Sequence, residues 1–592
     1  VNKDFAILEF NSEIHSLQKS DYKLEINNKI FDIKAVKGNN ILKNKIKIEE
    51  PDLWWPHNYG DQNLYEFDIK ITYLDEILDE KTIKYGIRDV KLNQDSLPKG
   101  SKFSFFINGQ EIYMKGANII PSNHFSSEAS DSSYIELVKQ AKAANMNMLR
   151  VWGGGYYLPD VFYEACNKEG IAVWQDFMFA GGMYPISVFD SVEIEQQIKR
   201  LNNHSSIVLW CGNNEISEGW HNWGWAKNYN QKEKDKIWGD YKFIFQELIP
   251  NKVKDLSSNT PYWESSPKLG RGNPEYIHSG NAHNWWVWHD DSLFENYERQ
   301  IPRFMTEFGF QSFPHINTTK RFAQNNIYPN ANELNYHQKH AHGFERIQSA
   351  MQRNLPQPYN LEDSVYLSQV LQALAVETGI RAQRTDEYCK GSLFWQLNDC
   401  WPVISWSAID FYGYWKALMY RAKKSFDDIV IRSEIQGDSI VVWLGSELDY
   451  SPKAILNASI LDFNGNEVYS KSTKLELKEN FQGKLHSFTG FSNEIDWTMH
   501  YLKISIEVND KTYKNISFNR KLKDLKLNKY VLEYEIKRNK INFKAKELCI
   551  FVAIQNNDKK LGDNYFHLEA GEEKTIKIKD SEAIIQMLNN YY

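Results

Sequence analysis

Two glutamates each close a run of apolar residues. Glu215 ends Val208-Leu209-Trp210-Cys211-Gly212-Asn213-Asn214-Glu215, and Glu307 ends Arg303-Phe304-Met305-Thr306-Glu307, ahead of Phe308-Gly309. A carboxyl in such a place is costly unless it is paired or used. Cleaving a glycosidic bond asks for two carboxyls in unlike states. One must be protonated to assist the leaving oxygen, and one ionised to attack or stabilise the anomeric carbon. Either Glu alone reads more readily as a structural ion-pair partner. Two of them at the ends of comparable runs, with Asn214 and Arg150 beside them, reverse that weighting. Asp176, Glu264 and Asp399 also sit at run ends, and for each the plainer role, a helix cap or a partner for Arg150, is preferred.

These residues need elements that converge on one mouth. Eight short apolar-rich runs supply them: 114–121, 146–152, 171–177, 207–215, 262–266, 277–285, 303–309 and 392–399. Several are continuously apolar, the pattern of strands buried on both faces. Helical stretches alternate with them. Asp131 is placed as the cap of a helix whose Tyr134, Leu137, Val138 and Ala141 share one face. A second helix spans 160–169 and is stopped by Gly170, and a third spans 361–384. The pattern predicts a (β/α)8 TIM barrel, whose active sites lie at the C-terminal strand ends. Those ends carry Arg150, Trp152, Asn214, Glu215, His283, Trp285, Glu307 and Trp395, without clustered lysine. Trp152, Trp223, Trp285, Trp288 and Trp395 are candidates for a sugar platform, with loop packing as the alternative. His283 reads as a hydrogen-bond donor rather than a metal ligand, because no second His or Cys stands at ligand spacing.

Either side of the barrel the period changes to that of β-structure. Residues 65–73 alternate apolar and polar. Further on, Asn464-Gly465 between two strand-like runs signals a hairpin. The expected organisation is multidomain: a central (β/α)8 TIM barrel over 93–428, flanked by immunoglobulin-like β-sandwich domains at 1–92, 429–522 and 523–592. An insertion at 311–359, after the seventh strand, is expected to carry loops at the mouth.

The net charge of −7 disfavours nucleic-acid or anionic-membrane partners. The longest apolar stretches are too short for a transmembrane helix. The five cysteines, Cys166, Cys211, Cys389, Cys400 and Cys549, contain no C-x-x-C pair, so neither a zinc or redox motif nor a disulfide framework is expected. No metal and no cofactor are expected. The 19 Trp and 33 Tyr suit both a large core and sugar stacking, so composition leaves that choice to position. The compartment stays open, with a secreted, periplasmic or lysosomal location preferred to the cytoplasm.

The motifs resemble those of glycoside hydrolase family 2, and within it the β-mannosidases. Trp210-Cys211-Gly212-Asn213-Asn214-Glu215 resembles the acid/base motif, and Thr306-Glu307-Phe308-Gly309 followed by Gln311-Ser312 the nucleophile motif. Arg150-Val151-Trp152-Gly153-Gly154-Gly155 is similar to the second-strand motif. Leu53-Trp54-Trp55-Pro56-His57-Asn58-Tyr59-Gly60 is similar to that of the linker strand, and Asp563-Asn564-Tyr565-Phe566 to one in the final β domain. The resemblance implies a retaining exo-β-mannosidase acting on terminal β-D-mannose of oligosaccharides or glycoconjugates. The alternatives are a β-glucosaminidase, a β-galactosidase or a non-catalytic carbohydrate-binding homologue. It implies Glu215 as acid/base, Glu307 as nucleophile, Arg150 as the nucleophile's partner and Asn214 as a 2-hydroxyl contact. Trp152, Trp223 and Trp395 would shape the terminal-sugar pocket. The family begins with a jelly-roll-like sugar-binding domain, and this chain is expected to start after it.

Overall fold

The computed structural model describes residues 4–189, 191–323, 332–492 and 494–592. The chain opens with six antiparallel strands: β1 (Phe5–Ser16), β2 (Ser20–Ile26), β3 (Lys29–Ala35), β4 (Gly38–Glu49), β5 (Tyr65–Tyr73) and β6 (Glu76–Tyr85). β1 pairs with β4, and the other four form a sheet in the order β3-β2-β5-β6. Leu24, Ile26, Ile33, Ile46 and Phe67 are buried together between the strands. This layer is tied to the next by buried polar groups. The Trp54 indole N–H donates to the Asn167 carbonyl at 2.7 Å, and Arg88 donates to the carbonyls of Ser205 and Ile207. The 53–60 motif is thus a docking segment, with isolated bridges at Leu53 and Trp54 and a turn at 57–60.

Three short strands, β7 (Val90–Asn93), β8 (Ser104–Ile107) and β9 (Gln110–Ile112), lead into β10 (Met114–Ile119). The barrel continues with β11 (Met148–Val151), β12 (Ala172–Asp176), β13 (Ile207–Cys211), β14 (Tyr262–Trp263), β15 (Ala282–Asn284), β16 (Met305–Phe308) and β17 (Gly391–Phe394). These eight strands form one sheet in the order β14-β13-β12-β11-β10-β17-β16-β15, with neighbouring strands parallel. Seven fall inside the predicted runs, and β17 begins one residue before its run. The fifth and sixth are shorter than expected, and among the described residues no backbone ladder joins β14 to β15. Side chains bridge that seam: the Trp263 indole donates to Asn281 Oδ1 at 2.8 Å, and Asn281 Nδ2 donates to Ser266 Oγ at 2.7 Å.

Phe103, Phe105, Trp174 and Phe304, all fully buried, pack with Trp263 inside the base of the barrel. Phe103 lies 4.9 Å from Trp263 and 5.5 Å from Phe304, ring centre to ring centre, edge to face. The lumen is filled from below, so only the C-terminal strand ends can form an open mouth.

The outer helices form as their apolar spacing predicts. Tyr134, Leu137, Val138 and Ala141 are all buried on the helix Asp131–Ala143. Its cap, however, is Ser130, whose side chain accepts from the Ser133 amide. Asp131 is instead the first residue inside, where its charge complements the helix dipole. Asp160–Glu169 ends at Gly170 in the left-handed conformation (φ 75°). Where described, the 311–359 insertion contains the helices Ile316–Phe322, Asn332–Tyr336 and Gly343–Asn354; its 324–331 portion lies outside the described residues.

Beyond the barrel the chain returns to antiparallel sheets. A three-stranded sheet (Ile429–Gln436, Ser439–Ser446, Gln482–Thr489) shares a core with a four-stranded one that contains the hairpin Lys453–Asp462/Glu467–Glu476. The last sheets, built from 533–586, bury Phe543, Val552 and Phe566 in a core continuous with the barrel helices. The Tyr565 hydroxyl donates to Gln369 Oε1 and Tyr366 donates to the Phe551 carbonyl. The 563–566 motif is therefore a clasp on the helix Leu361–Arg384.

Candidate active site

Arg150 organises the mouth. It lies on β11 between Asn118 of β10 and Trp174 of β12 in the strand register, and it is completely buried. Its five N–H donors meet five acceptors. Nε and Nη2 hold Asp176 at 3.3 and 2.7 Å, Nη2 also reaches Asn214 Oδ1 at 2.7 Å, and Nη1 reaches Asn118 Oδ1 at 2.9 Å and Glu307 Oε1 at 2.5 Å. Burial would weaken the guanidinium's hold on its proton, but Asp176 and Glu307 outweigh that and keep it charged. Asp176 also accepts from the Trp174 indole and the Gly153 amide, so it serves as an anchor for Arg150.

Glu307 stands on β16 opposite His283 of β15. Burial raises its carboxyl above the ordinary 4.5, with His283 and Arg150 pulling it down. Glu215 is placed differently. It leaves the ladder after β13 in a left-handed conformation (φ 59°, ψ 10°), one that non-glycine residues rarely adopt, and immediately precedes the helix Ile216–Asn222 without its side chain capping it. Its amide donates to the Ser266 carbonyl at 2.9 Å. Burial pushes its carboxyl up to about 7, against the opposing pull of Arg150, Arg271 and the Asn214 side chain. One oxygen of Glu215, one of Glu307 and a ring nitrogen of His283 all lie within 4.8 Å of one another.

The doubled asparagine divides its labour. Asn213 accepts from the Ile216 amide and the Ser265 hydroxyl and donates to the Glu264 carbonyl, so it shapes the turn. Asn214 commits its oxygen to Arg150, which leaves its amide protons as donors. The preceding Gly212 is required sterically, because a Cβ there would stand 2.3 Å from the Glu264 carbonyl oxygen. Gly309 has the same role after Glu307, with the Trp395 carbonyl oxygen 2.4 Å from the position a Cβ would take.

His283 Nδ1 lies 2.7 Å from Glu215 Oε1 and 3.4 Å from Glu307 Oε2. Burial lowers its pKa to about 3, so the ring is neutral. Among the described residues, Glu215, His283 and Glu307 are the one group of carboxylates, His or Cys close enough to surround a cation. The donor set suits a metal poorly. Arg150 already neutralises Glu307, which leaves little net negative charge to hold a cation.

The tryptophans separate into two kinds. Trp152 and Trp395 meet edge to face at 5.0 Å and are only partly buried. Trp223 is 43% exposed beside Trp225. Trp285, by contrast, is 8% exposed and packs on His289 and Trp406, and Trp288 is fully buried against Phe310 and Trp406. Both rings are largely enclosed by neighbouring side chains. Glu264 is held by Tyr241, Gln246 and Lys268, and Asp399 by the hydroxyls of Ser405 and Ser407. Residues that the sequence reading passed over also contribute: Asn118, Ser266, Asn281 and Glu218. Glu218 is 2% exposed on the same helix turn as Glu215, and burial, then Glu215, raise it to about 7. A polar residue inside an all-buried strand was the available signal for Asn118; the others emerge only from the tertiary arrangement.

The architecture is that of a barrel protein flanked by β-sandwich layers, with two neighbouring carboxyls at its mouth, Glu307 buried and Glu215 partly so. Residues 2–88 match the family model described as glycosyl hydrolases family 2. Over almost its whole length the chain superposes on the β-D-mannosidase of Dictyoglomus thermophilum, with a TM-score of 0.88 and 30% identity, covering 98% of this chain and 74% of that one. The chain belongs to glycosyl hydrolase family 2. It is 35% identical over 413 residues to β-mannosidase B of Emericella nidulans, covering 67% of this chain and 49% of the relative, and 36% identical over 405 residues to that of Aspergillus niger (66% and 48%). The chain thus spans about half the length of the curated relatives it matches. The exo-chitosanase of Amycolatopsis orientalis shares the fold at a TM-score of 0.74 and 16% identity.

Proposed function

We propose that the chain acts as a retaining exo-β-mannosidase, with Glu307 as nucleophile and Glu215 as general acid/base. The observation that carries this reading is the unequal treatment of two neighbouring carboxyls. Glu307 takes the charged hydrogen bond from Arg150, while Glu215, partly buried, has none and holds a proton to about pH 7. Their oxygens approach within 4.8 Å, which suits direct attack. Inverting enzymes hold their carboxyls roughly 6.5–9.5 Å apart to admit a water.

Glu307 attacks the anomeric carbon as Glu215 gives its proton to the glycosidic oxygen, releasing the aglycone. The resulting glycosyl ester removes the charge on Glu307. Glu215, now ionised, takes a proton from water, and the hydroxide displaces Glu307 from the sugar. Asn214 directs its amide toward the 2-hydroxyl beside Glu307. Trp152, Trp223 and Trp395 supply faces for one terminal sugar, and the filled barrel base favours a pocket over a through-going cleft. The β-mannosidase names of the relatives support mannose over other sugars, and Asn214 with its fixed donor side is compatible with an axial 2-hydroxyl.

A 2-fluoro-β-mannosyl fluoride tests the mechanism. Mass spectrometry should find the sugar esterified to Glu307, and NMR should show β-mannose as the first product. α-Mannose first would mean inversion, and no label at all would favour a non-catalytic binding protein. A panel of nitrophenyl glycosides separates mannoside from glucosaminide and galactoside.

A further inference from the structure

The hydrogen bonds behind His283 run in one direction. The Trp263 indole can only donate, so its 2.8 Å bond fixes Oδ1 of Asn281 on that side and turns Nδ2 inward. Nδ2 then donates to Ser266 Oγ at 2.7 Å and to Thr306 Oγ1 at 2.6 Å. The Thr306 hydroxyl has the Ala282 carbonyl as its acceptor at 3.2 Å. Ser266, which already accepts from Asn281, has its own proton left to give. The nearer and more basic acceptor is His283 Nε2 at 3.1 Å, against Thr306 Oγ1 at 3.3 Å. Asn281, Ser266, Thr306 and His283 are all buried, so water does not compete for these bonds. With Nε2 accepting, the single ring proton must sit on Nδ1, facing Glu215 Oε1 at 2.7 Å.

We propose that Trp263, Asn281 and Ser266 form a donor chain that fixes the His283 tautomer, making His283 a positioning group that confines the transferable proton of Glu215 to Oε2. Oε1 accepts from Nδ1 whether Glu215 is protonated or ionised, so the acid proton has one remaining oxygen to occupy. The same bond persists when Glu215 loses its proton to the leaving group, and no ring flip is needed between the two half-reactions. Ser266 ties this chain to the backbone as well, because its carbonyl accepts from the Glu215 amide. The chain also spans the β14–β15 seam, so closing the barrel and setting the tautomer are one event. This inference rests on the proposed role of Glu215, but its test has a readout that needs no turnover.

Nitrogen NMR of protein labelled with 15N-histidine, the His283 signals identified by their loss in His283→Gln, should show Nδ1 protonated and Nε2 bare at neutral pH. Asn281→Asp is the inverting variant. A carboxylate there is met by three donors, the Trp263 indole and the Ser266 and Thr306 hydroxyls, and so stays ionised. It draws the Ser266 proton away from His283, and the ring proton should move to Nε2. kcat should then fall about ten- to hundredfold, part of the 10²–10⁴ that a positioned proton donor contributes. Should Asn281→Asp not fold, Ser266→Ala keeps every backbone bond and should move the Nε2 resonance toward that of an unbonded ring nitrogen. A wild-type ring protonated at Nε2, a tautomer unmoved in folded Asn281→Asp, or an unchanged Nε2 resonance in Ser266→Ala would each overturn the proposal. If the tautomer behaves as assigned but no β-mannoside is hydrolysed, the donor chain stands and the substrate reading fails.

Discussion

Glu215 is held at a cost to stability, and Glu215→Gln should recover it in a pH-dependent way. In the unfolded chain this carboxyl loses its proton near its ordinary 4.5; in the native chain it does so at about 7. Between those values the native state binds more protons, so stability falls as pH rises. Below 4.5 both states are protonated and the effect vanishes, and above 7 it is complete. At ~1.36 kcal/mol per tenfold change in proton affinity, the full effect is roughly 3 kcal/mol. Glutamine is neutral throughout and can still accept from His283 Nδ1. It also removes the charge that helps to raise Glu218, an effect of the same sign. For a cooperative unit of about 300 residues, roughly 3 kcal/mol corresponds to about 5 °C in Tm. Scanning calorimetry at pH 4 and pH 8 should therefore give nearly equal midpoints at pH 4. At pH 8 the variant should melt about 5 °C higher, while having lost its acid catalyst. A gap of the same size at both pH values, or a variant less stable at pH 8, would refute the reasoning.

The alkaline limb of kcat/KM on a nitrophenyl β-mannoside should fall as pH rises through about 7, where Glu215 loses the proton it must donate; an activity flat to pH 9 would assign the acid elsewhere. Glu215→Ala should turn over slowly and be rescued by azide as a β-glycosyl azide, detected by NMR. Arg150→Met strands Asp176 and Glu307 without their cation and should cost about 3–5 kcal/mol in chemical denaturation. Trp223→Ala, at an exposed ring, should raise KM with little change in Tm. Trp285→Ala, at a buried one, should cost about 3–5 kcal/mol.

What could be read from the sequence follows from how each element is stabilised. β10 to β13, β16 and β17 are buried on both faces, so their apolar runs announced them. β14 and β15 were overextended because Ser265, Ser266 and Asn281 replace ladder bonds with side-chain bonds, and periodicity does not register that exchange. The one-residue error at Ser130 arose because serine and aspartate are comparable caps, and local geometry decides between them. Glu215, Glu307, Arg150 and Asn214 stood out as charged or amide groups closing apolar runs. Ser266 and Asn281 did not, since their use depends on two strands meeting at a seam. Trp285 looked like a platform from its place at a strand end. The helical turn Trp286–His289 begins immediately after it, and its ring meets Trp406 edge to face at 6.2 Å.

Two like carboxyls acquire unlike chemistry here through donor supply. Arg150 has five N–H groups, and Asp176 takes two of them, Asn118 one, Asn214 one and Glu307 one. None remains for Glu215. The one full positive charge hydrogen-bonded within this buried group is therefore assigned to Glu307 by geometry, because Glu307 on β16 meets the Arg150 guanidinium from β11 while Glu215 has already turned off the sheet. Glu215 receives the neutral side chains of His283 and Asn214, which can orient a carboxyl but carry no charge to offset its own. Exchanging the two residues' neighbours, rather than the residues themselves, would exchange their roles. The left-handed turn at Glu215 is what keeps the second carboxyl out of the guanidinium's reach while leaving its oxygen within 4.8 Å of Glu307.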